Sequence, residues 1–376
     1  MATTLHEHFG YLADSVKAGQ YAAALKTLVR PGHVVLDLGC GSGMLGLLAL
    51  HAGAQKVYFV DESPVIEMAR RSVAEAGFAD RAEFYHSNSY ELELPEPADL
   101  VVCDHVGYFG FDYGVLALLA DARRRFLKPG SIVLPSSLEL LVAPVESKEC
   151  RNLVAQWREN AIPEEFDWVA GLSANTKHGS FLRAEDLLAA PLTLATLSLG
   201  ETAEPFLSWS VEFQCTRDGL LDGVGGWFDC QLCDGISMTN SPLADERLDR
   251  SQVFLPLEEP VAVKAGEVVK ATIMARHEDN VIGWVVELPA SGQKFTHNTF
   301  NGLFLDRESL SRTGPDRPAS LNQRGRARQI ILSYCDGKRS IAEVEDQVLR
   351  EHPDLFPSTR ASLSFIRHVV AWDTGE

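Results

Sequence analysis

The sequence predicts an α/β protein built in three parts. A Rossmann-like, doubly wound parallel sheet is expected over residues 1–135, an antiparallel β-barrel over 136–305, and a small, mainly helical module over 318–376. Three observations carry this. Short apolar runs alternate with helical periodicity as far as Pro135, the pattern of β-α-β units. Beyond it, apolar stretches recur between Gly, Asp and Pro, as in antiparallel β-structure. From about residue 318 the apolar spacing turns helical. At 376 residues the chain is also too long for one compact core.

The elements follow in order. "HVVLDL" reads as a buried strand, "GMLGLLALHAG" as a helix closed by Gly53, and "KVYFVD" as the second strand. Ser63 is expected to cap the next helix, with Pro64 at its first position and Gly77 at its end. "AEFYH", "ADLVVCD" and "SIVLP" supply three more strands, with the helix "YGVLALLADARRRFL" before the last. In the second part, "LELLVAPVE", "LSWSVEFQC", "GWFDCQLC", "SQVFLPL", "VVKATIMA" and "GWVVEL" are strands, interrupted by a mixed insertion over 155–190. "DRESLSRTGPDRPAS" reads as a linker. In the third part, Ser340 with Glu343 makes a capping box, and Ile341, Val344, Val348 and Leu349 make one face.

Composition limits the function. Formal charge is −18, with 52 acids against 34 bases, which argues against a nucleic-acid partner because phosphate binding needs a basic footprint. A neutral or basic peptide is compatible with it, as is simple solubility. No apolar run reaches the length of a membrane span and "MATTLHEHFGYLADSVK" has no signal-peptide character, so no membrane partner is expected and the location is read as cytoplasmic. Seven scattered cysteines make a disulfide framework unlikely. Cys230 and Cys233 form a C-x-x-C without a second pair, read as two thiols in a strand, and no metal site is expected.

The chemistry is concentrated in "VVLDLGCGSGMLGLL". Gly41, Gly43 and Gly46 form a G-x-G-x-x-G that opens a helix, which brings backbone N–H groups close to a ligand. A dinucleotide would use it for a pyrophosphate, yet Asp37 lies beside the loop and would repel one. A ligand with a positive amino group suits it better. Asp61 ends the second strand, where a carboxylate can take both ribose hydroxyls.

D-x-G-x-G-x-G with an acid ending strand two resembles the donor motif of class I S-adenosylmethionine-dependent methyltransferases. The resemblance implies S-adenosyl-L-methionine as cofactor, held by Lys17, Asp37, Gly39, Gly41, Gly43, Leu45, Asp61, Glu62, Asn88 and Ser89. Further stretches, "HAGAQKVYFVDES", "ADLVVCDHVGYFGFDYG", "GWFDCQLCDGISMTNSP" and "QVFLPLEEPVAVKAGEVV", are similar to the protein arginine methyltransferases over about residues 8–300. That family clamps a guanidinium between two glutamates. Here the first position is Asp104 and the second falls on Tyr113, with Asp112 beside it. Lys17 stands where the family has an arginine for the donor's carboxylate, and "LADERLDRSQV" lacks the family's Thr-His-Trp. Asp104 is assigned to orient the acceptor, His105 or Asp112 to take a proton, and Tyr113 to line the pocket. The 155–190 insertion lies where the family carries its dimerisation arm, which implies a homodimer.

"SLNQRGRARQIILSYCDGKRSIAEV" resembles the winged-helix-like domain, related to the pyrroloquinoline quinone chaperone, that binds leader peptides in ribosomal peptide natural-product pathways. The matching residues are Leu321-Asn322, Ile330-Ile331-Leu332, Asp336-Gly337 and Ser340-Ile341. In that family the leader adds a strand to a sheet edge, and "GLFLDRES" is the segment here that could supply such an edge. The expected function is methylation of a side chain of a peptide or protein recruited by this module. An ordinary arginine methyltransferase and a non-catalytic binding relic are the alternatives.

Overall fold

A computed structural model describes residues 2–159, 161–312 and 314–374. The first unit, ending at Leu303, opens with helices α1 (Ala2–Ala13) and α2 (Ser15–Leu28). A five-stranded, all-parallel sheet follows, in which strands β1 (Val34–Leu38), β2 (Lys56–Asp61), β3 (Ala82–His86), β4 (Ala98–Val102) and β5 (Leu127–Leu134) take the order 3-2-1-4-5. Helices α3 (Met44–His51), α4 (Ile66–Glu75) and α5 (Val115–Phe126) make the crossovers. The strand order reverses beside β1, and ligands of open α/β sheets bind at the carboxyl ends of strands at that point. β1 is buried along its whole length because it runs between β2 and β4 with both faces covered.

The second part of this unit is antiparallel. Its elements are β6 (Ser137–Val145), α6 (Lys148–Ala155), α7 (Val169–Ser173), β7 (His178–Ser180), β8 (Leu192–Ser198), β9 (Leu207–Gln214) and β10 (Gly219–Cys233). They continue with β11 (Ile236–Thr239), β12 (Gln252–Val263), β13 (Val268–Arg276), β14 (Val281–Leu288) and β15 (Gln293–Asn298). The expected barrel is realised as two sheets, β7-β12-β10-β6-β8 with β11 against β10, and β15-β14-β13-β9. The ladder passes from β8 to β6 and from β9 to β13, so it is not continuous between β8 and β9. One apolar core runs from Tyr21 and Val35 under the parallel sheet to Trp284 and Leu288 in the antiparallel one. That shared core fixes the start of β12 relative to the end of β4, on which the site depends.

The second unit, from Phe304, holds α8 (Arg307–Arg312), α9 (Gln323–Ser333), α10 (Ile341–Glu351) and α11 (Thr359–Asp373). Its own small core gathers Ile331, Val344, Val348, Ile366 and Val369.

Several local expectations are corrected. Ser63 does not cap α4: its Oγ accepts from Val65 N inside a turn that also contains Pro64, and the helix starts at Ile66. Ile341 is 54% exposed, so the apolar face of α10 is carried by Val344 and Val348. The expected linker contains α8, and the segment around Phe304 forms no strand. Asp306 instead accepts from Glu308 N and turns the chain into α8. Asn322, expected at a strand end, is the N-cap of α9 through Gly325 N at 2.8 Å. The second unit therefore has no strand edge among the described residues. The capping box of Ser340 and Glu343 is present. Cys230 and Cys233 are free thiols of β10, the first buried and the second half-buried.

Candidate active site

The glycine loop leaves β1 at Leu38 and enters α3 at Met44. Gly39 has φ +68°, and a Cβ there would lie 2.2 Å from His105 Nε2, so both the turn and the close approach require glycine. Gly43 and Gly46 serve packing. A Cβ on the first would strike Ala69 and on the second Phe59, and neither lines the cleft described below. Gly43, expected among the donor-binding residues, packs its backbone on Ala69 at the start of α3.

Asp37 and Asp61 both bind the loop itself. Asp37 Oδ2 accepts from Gly46 N at 2.7 Å, and burial raises its pKa to about 7 against the help of that N–H. Asp61 accepts from Gly41 N at 2.7 Å with Oδ2 and from Ser63 N at 2.8 Å with Oδ1. Each carboxylate oxygen can take a second hydrogen bond, so Asp61 keeps capacity for two hydroxyls. Glu62 takes a bond from Asn88 Nδ2 at 2.9 Å, which ties the ends of β2 and β3 together.

A cavity of about 830 Å³ and another of about 400 Å³ meet at Gly39, Asp61, His105 and Tyr113. They make one cleft with the His105 ring between its halves. Lys17, Asp37, Gly41, Leu45 and Asp104 border the larger half. Glu62, Asn88 and Ser89 border the smaller. Of the residues singled out in the sequence, Gly43 and Asp112 reach neither half.

The end of the larger half away from Glu62 carries the unexpected chemistry. Asp104, just past β4, receives Lys17 Nζ at 2.9 Å and Arg250 Nη2 at 3.3 Å, both on Oδ2. Its Oδ1 is buried without a hydrogen-bond partner. Lys17, which the resemblance assigned to the donor carboxylate, is 2% exposed and pairs with Asp104 at the border of the larger half. Burial by itself would weaken the Arg250 charge, but Asp104, Tyr21 and Tyr11 outweigh it and the pKa is raised. Arg250 also donates to Val106 O, so it spans the loop that follows β4. Burial lowers the His105 pKa, which makes the ring neutral at pH 7. Tyr113 is pushed up by burial and by Tyr108, and remains a phenol.

Asp112 is no second acid of this cleft. It is fully buried, its Oδ1 accepts from Phe109 N at 2.9 Å and its Oδ2 from Lys177 Nζ at 2.8 Å. It closes the turn 107–112 from inside, and a Cβ on Gly107 would fall 1.9 Å from its Oδ1. The assignment of Asp112 as proton acceptor is therefore withdrawn. Arg250 was missed by the sequence reading. An arginine before a strand is ordinary in a sequence unless its burial is known.

Residues 35–130 match the methyltransferase domain family. The chain is 28% identical to Protein arginine N-methyltransferase 6 of Xenopus laevis over 275 residues, which covers 69% of this chain and 80% of that protein. It is 29% identical to the Arginine N(omega)-methyltransferase of Streptomyces achromogenes subsp. streptozoticus over 272 residues, 70% of this chain and 74% of that one. Class I S-adenosylmethionine-dependent methyltransferase, of arginine-methyltransferase-like type, is what the fold, the loop and these relatives establish. Among solved structures, the Trypanosoma brucei PRMT1 enzyme-prozyme heterotetrameric complex with AdoHcy superposes with a TM-score of 0.68 at 20% identity, covering 77% of this chain and 96% of that one. Arabidopsis thaliana protein arginine methyltransferase 10 gives 0.67 at 20%, covering 78% and 98%. At that identity they establish the fold. The cofactor of the methyltransferase is S-adenosylmethionine, and this cleft fits it. Glycine backbone lies where side chains would block the approach, Asp61 has acceptor capacity to spare, and Asp37 supplies negative charge for an ammonium group.

Proposed function

We propose that the methyltransferase modifies a side chain of a peptide or protein, with the acceptor entering the larger half of the cleft beside Asp104. The observation that carries this is the continuity of the two half-cavities past Gly39 and Tyr113, which leads from the donor loop to Asp104 at the wall of the larger half. In this reading Asp61 takes the ribose hydroxyls, while Glu62, Asn88 and Ser89 border the adenosine. Asp37 faces the amino group, and Leu45 closes the loop side. When bound, the cofactor supplies an electrophilic methyl group on a sulfonium. The chain orients the nucleophile and excludes water, which are the main requirements of such a transfer. His105, neutral and packed on Gly39, adds no positive charge next to the sulfonium.

Recruitment of a leader-bearing peptide by the second unit belongs to the same reading. It is supported by the motif over residues 321–341 and by a core independent of the first unit. In this reading the peptide contacts the exposed Leu321 and Ile341 rather than adding a strand. A homodimer through the 155–190 insertion and a cytoplasmic location complete the proposal. Within that insertion β7 is pinned to β12 (Ser180 pairs Gln252) and Phe166 is exposed. A guanidinium acceptor is the second reading, favoured by the names of the relatives.

Mass spectrometry of peptides co-expressed with the enzyme from its own gene neighbourhood tests the proposal. A methyl mark on one residue is the expected result. Donor binding by calorimetry with no marked peptide or protein would refute the acceptor class.

A further inference from the structure

We infer that Asn240 is a positioning residue for methyl transfer. With Gln252 it forms a buried carboxamide pair that anchors the loop after β4 to the antiparallel part, and so sets the wall of the cleft's larger half. The inference rests on the proposed placement of the acceptor in that half.

Both side chains are 0% exposed, and neither borders the cleft. Asn240 lies just past β11. Its Oδ1 accepts from Phe228 N of β10 at 3.0 Å, and its Nδ2 donates to Tyr108 O at 3.0 Å and to Ser251 O at 2.9 Å. Gln252, the first residue of β12, accepts from Leu182 N at 2.7 Å with Oε1. Its Nε2 donates to Asn240 O and, at 3.4 Å, to Arg250 O. Each amide oxygen thus meets an N–H and each amide nitrogen meets two carbonyls, which fixes both orientations and uses all four amide donors.

What these bonds hold is the lining of the larger half. Tyr108, Arg250 and Ser251 border it, and so does Phe181, the neighbour of Leu182. Tyr108 sits in the turn 107–112, where Gly107 and Gly110 bond each other in both directions, and its own carbonyl turns to Asn240. The Tyr108 ring meets the Tyr113 ring edge-on, with 5.6 Å between centroids. Tyr113 borders both halves, so the place of one carbonyl carries through to the waist of the cleft.

The donor loop has its own anchors, Asp37 and Asp61, and makes no bond to the pair. Loss of Asn240 leaves the buried carbonyls of Tyr108 and Ser251 without these donors, a cost that the loop relieves only by moving. A shift of about 1 Å in a wall that orients a reactant can lower the rate by on the order of 10²-fold. The acceptor end then loses its geometry while the donor end keeps its own.

Hydrogen–deuterium exchange of the full chain with S-adenosylhomocysteine tests this in wild type, Asn240→Ala, Asn240→Asp and Val286→Ala. Asn240→Asp keeps the shape but sets an oxygen against the two carbonyls. Val286 is buried in β14, which pairs with β13 and β15, so its truncation weakens the core without touching the pair. In both Asn240 variants the amides of 104–113 should exchange about tenfold faster or more, while those of 39–47 stay as in wild type. Donor affinity by calorimetry should stay within about twofold, and the methyl-marked fraction of the peptides co-expressed from the gene neighbourhood should fall by about tenfold or more. Val286→Ala should change neither the loop nor the mark. Unchanged exchange over 104–113, equal acceleration there in Val286→Ala, or full marking by both Asn240 variants would overturn the inference. So would loss of donor binding in both, since the pair would then support the fold as a whole. No mark with wild type, alongside the expected exchange pattern, would instead overturn the placement of the acceptor.

Discussion

The two ends of the cleft are built in different ways. The donor end is made by one continuous stretch, Asp37 to Gly46, plus residues at the next strand ends, and its two aspartates accept from backbone N–H groups. The acceptor end is made by Lys17, Asp104 and Arg250, residues far apart in the chain, and its ion pairs join side chains. A backbone loop tolerates side-chain change and preserves one ligand. An ion cluster can be rewritten one residue at a time, so specificity can diverge while the donor stays the same.

The contrast is broken most strongly at Asp104. Asp104→Asn leaves Lys17 and Arg250 buried without a counter-charge, and loss of one partner of a buried pair costs about 3–5 kcal/mol. Denaturant unfolding should show a lower midpoint with an unchanged slope, and turnover should fall by on the order of 10²-fold or more because orientation and proton handling are lost together. If stability and turnover are both unaffected, Asp104 is not the centre of the acceptor end. Asp61→Ala acts on the donor end. Removal of two hydroxyl contacts should weaken donor binding by about 1.5–3 kcal/mol, and unchanged affinity in calorimetry would refute its role.

Asp37 separates the ends by pH. Its folded pKa is raised to about 7, so below that value the buried carboxyl is protonated and loses its attraction for an ammonium. Donor affinity should fall by up to tenfold per pH unit below 7, a trend that Asp37→Asn abolishes, provided that it is measured below about pH 8, where an amino group itself deprotonates. The linked stability has the opposite sign. The protonated acid favours the folded state below the unfolded value of 3.8, and that contribution is lost as pH rises towards 7. Tyr113→Phe is the smallest change. It removes a hydroxyl but no charge, and KM should shift a few-fold while donor binding stays constant.

How much of this was legible in the sequence follows the same division. Asp37, Gly39, Gly41 and Asp61 were readable because a strand end, a glycine turn and a helix start are local events encoded by adjacent residues. The capping box at Ser340 and Glu343 was readable for the same reason. Ser63 misled because the hydroxyl that caps a helix also closes a two-residue turn, and the Ser63 N–H bond to Asp61 favours the turn. Asp112 misled because adjacency to Tyr113 says nothing about direction, and a tight turn points neighbouring side chains apart.

The sequence alone therefore determined the fold class, the donor and the conformation of the glycine loop, since these depend on periodicity and on backbone geometry that glycine and aspartate signal directly. Only the tertiary structure decided what occupies the acceptor end. Arg250 meets Asp104 because one apolar core clamps the antiparallel sheets onto the parallel one, and no local pattern in the chain records an ion pair across 146 positions.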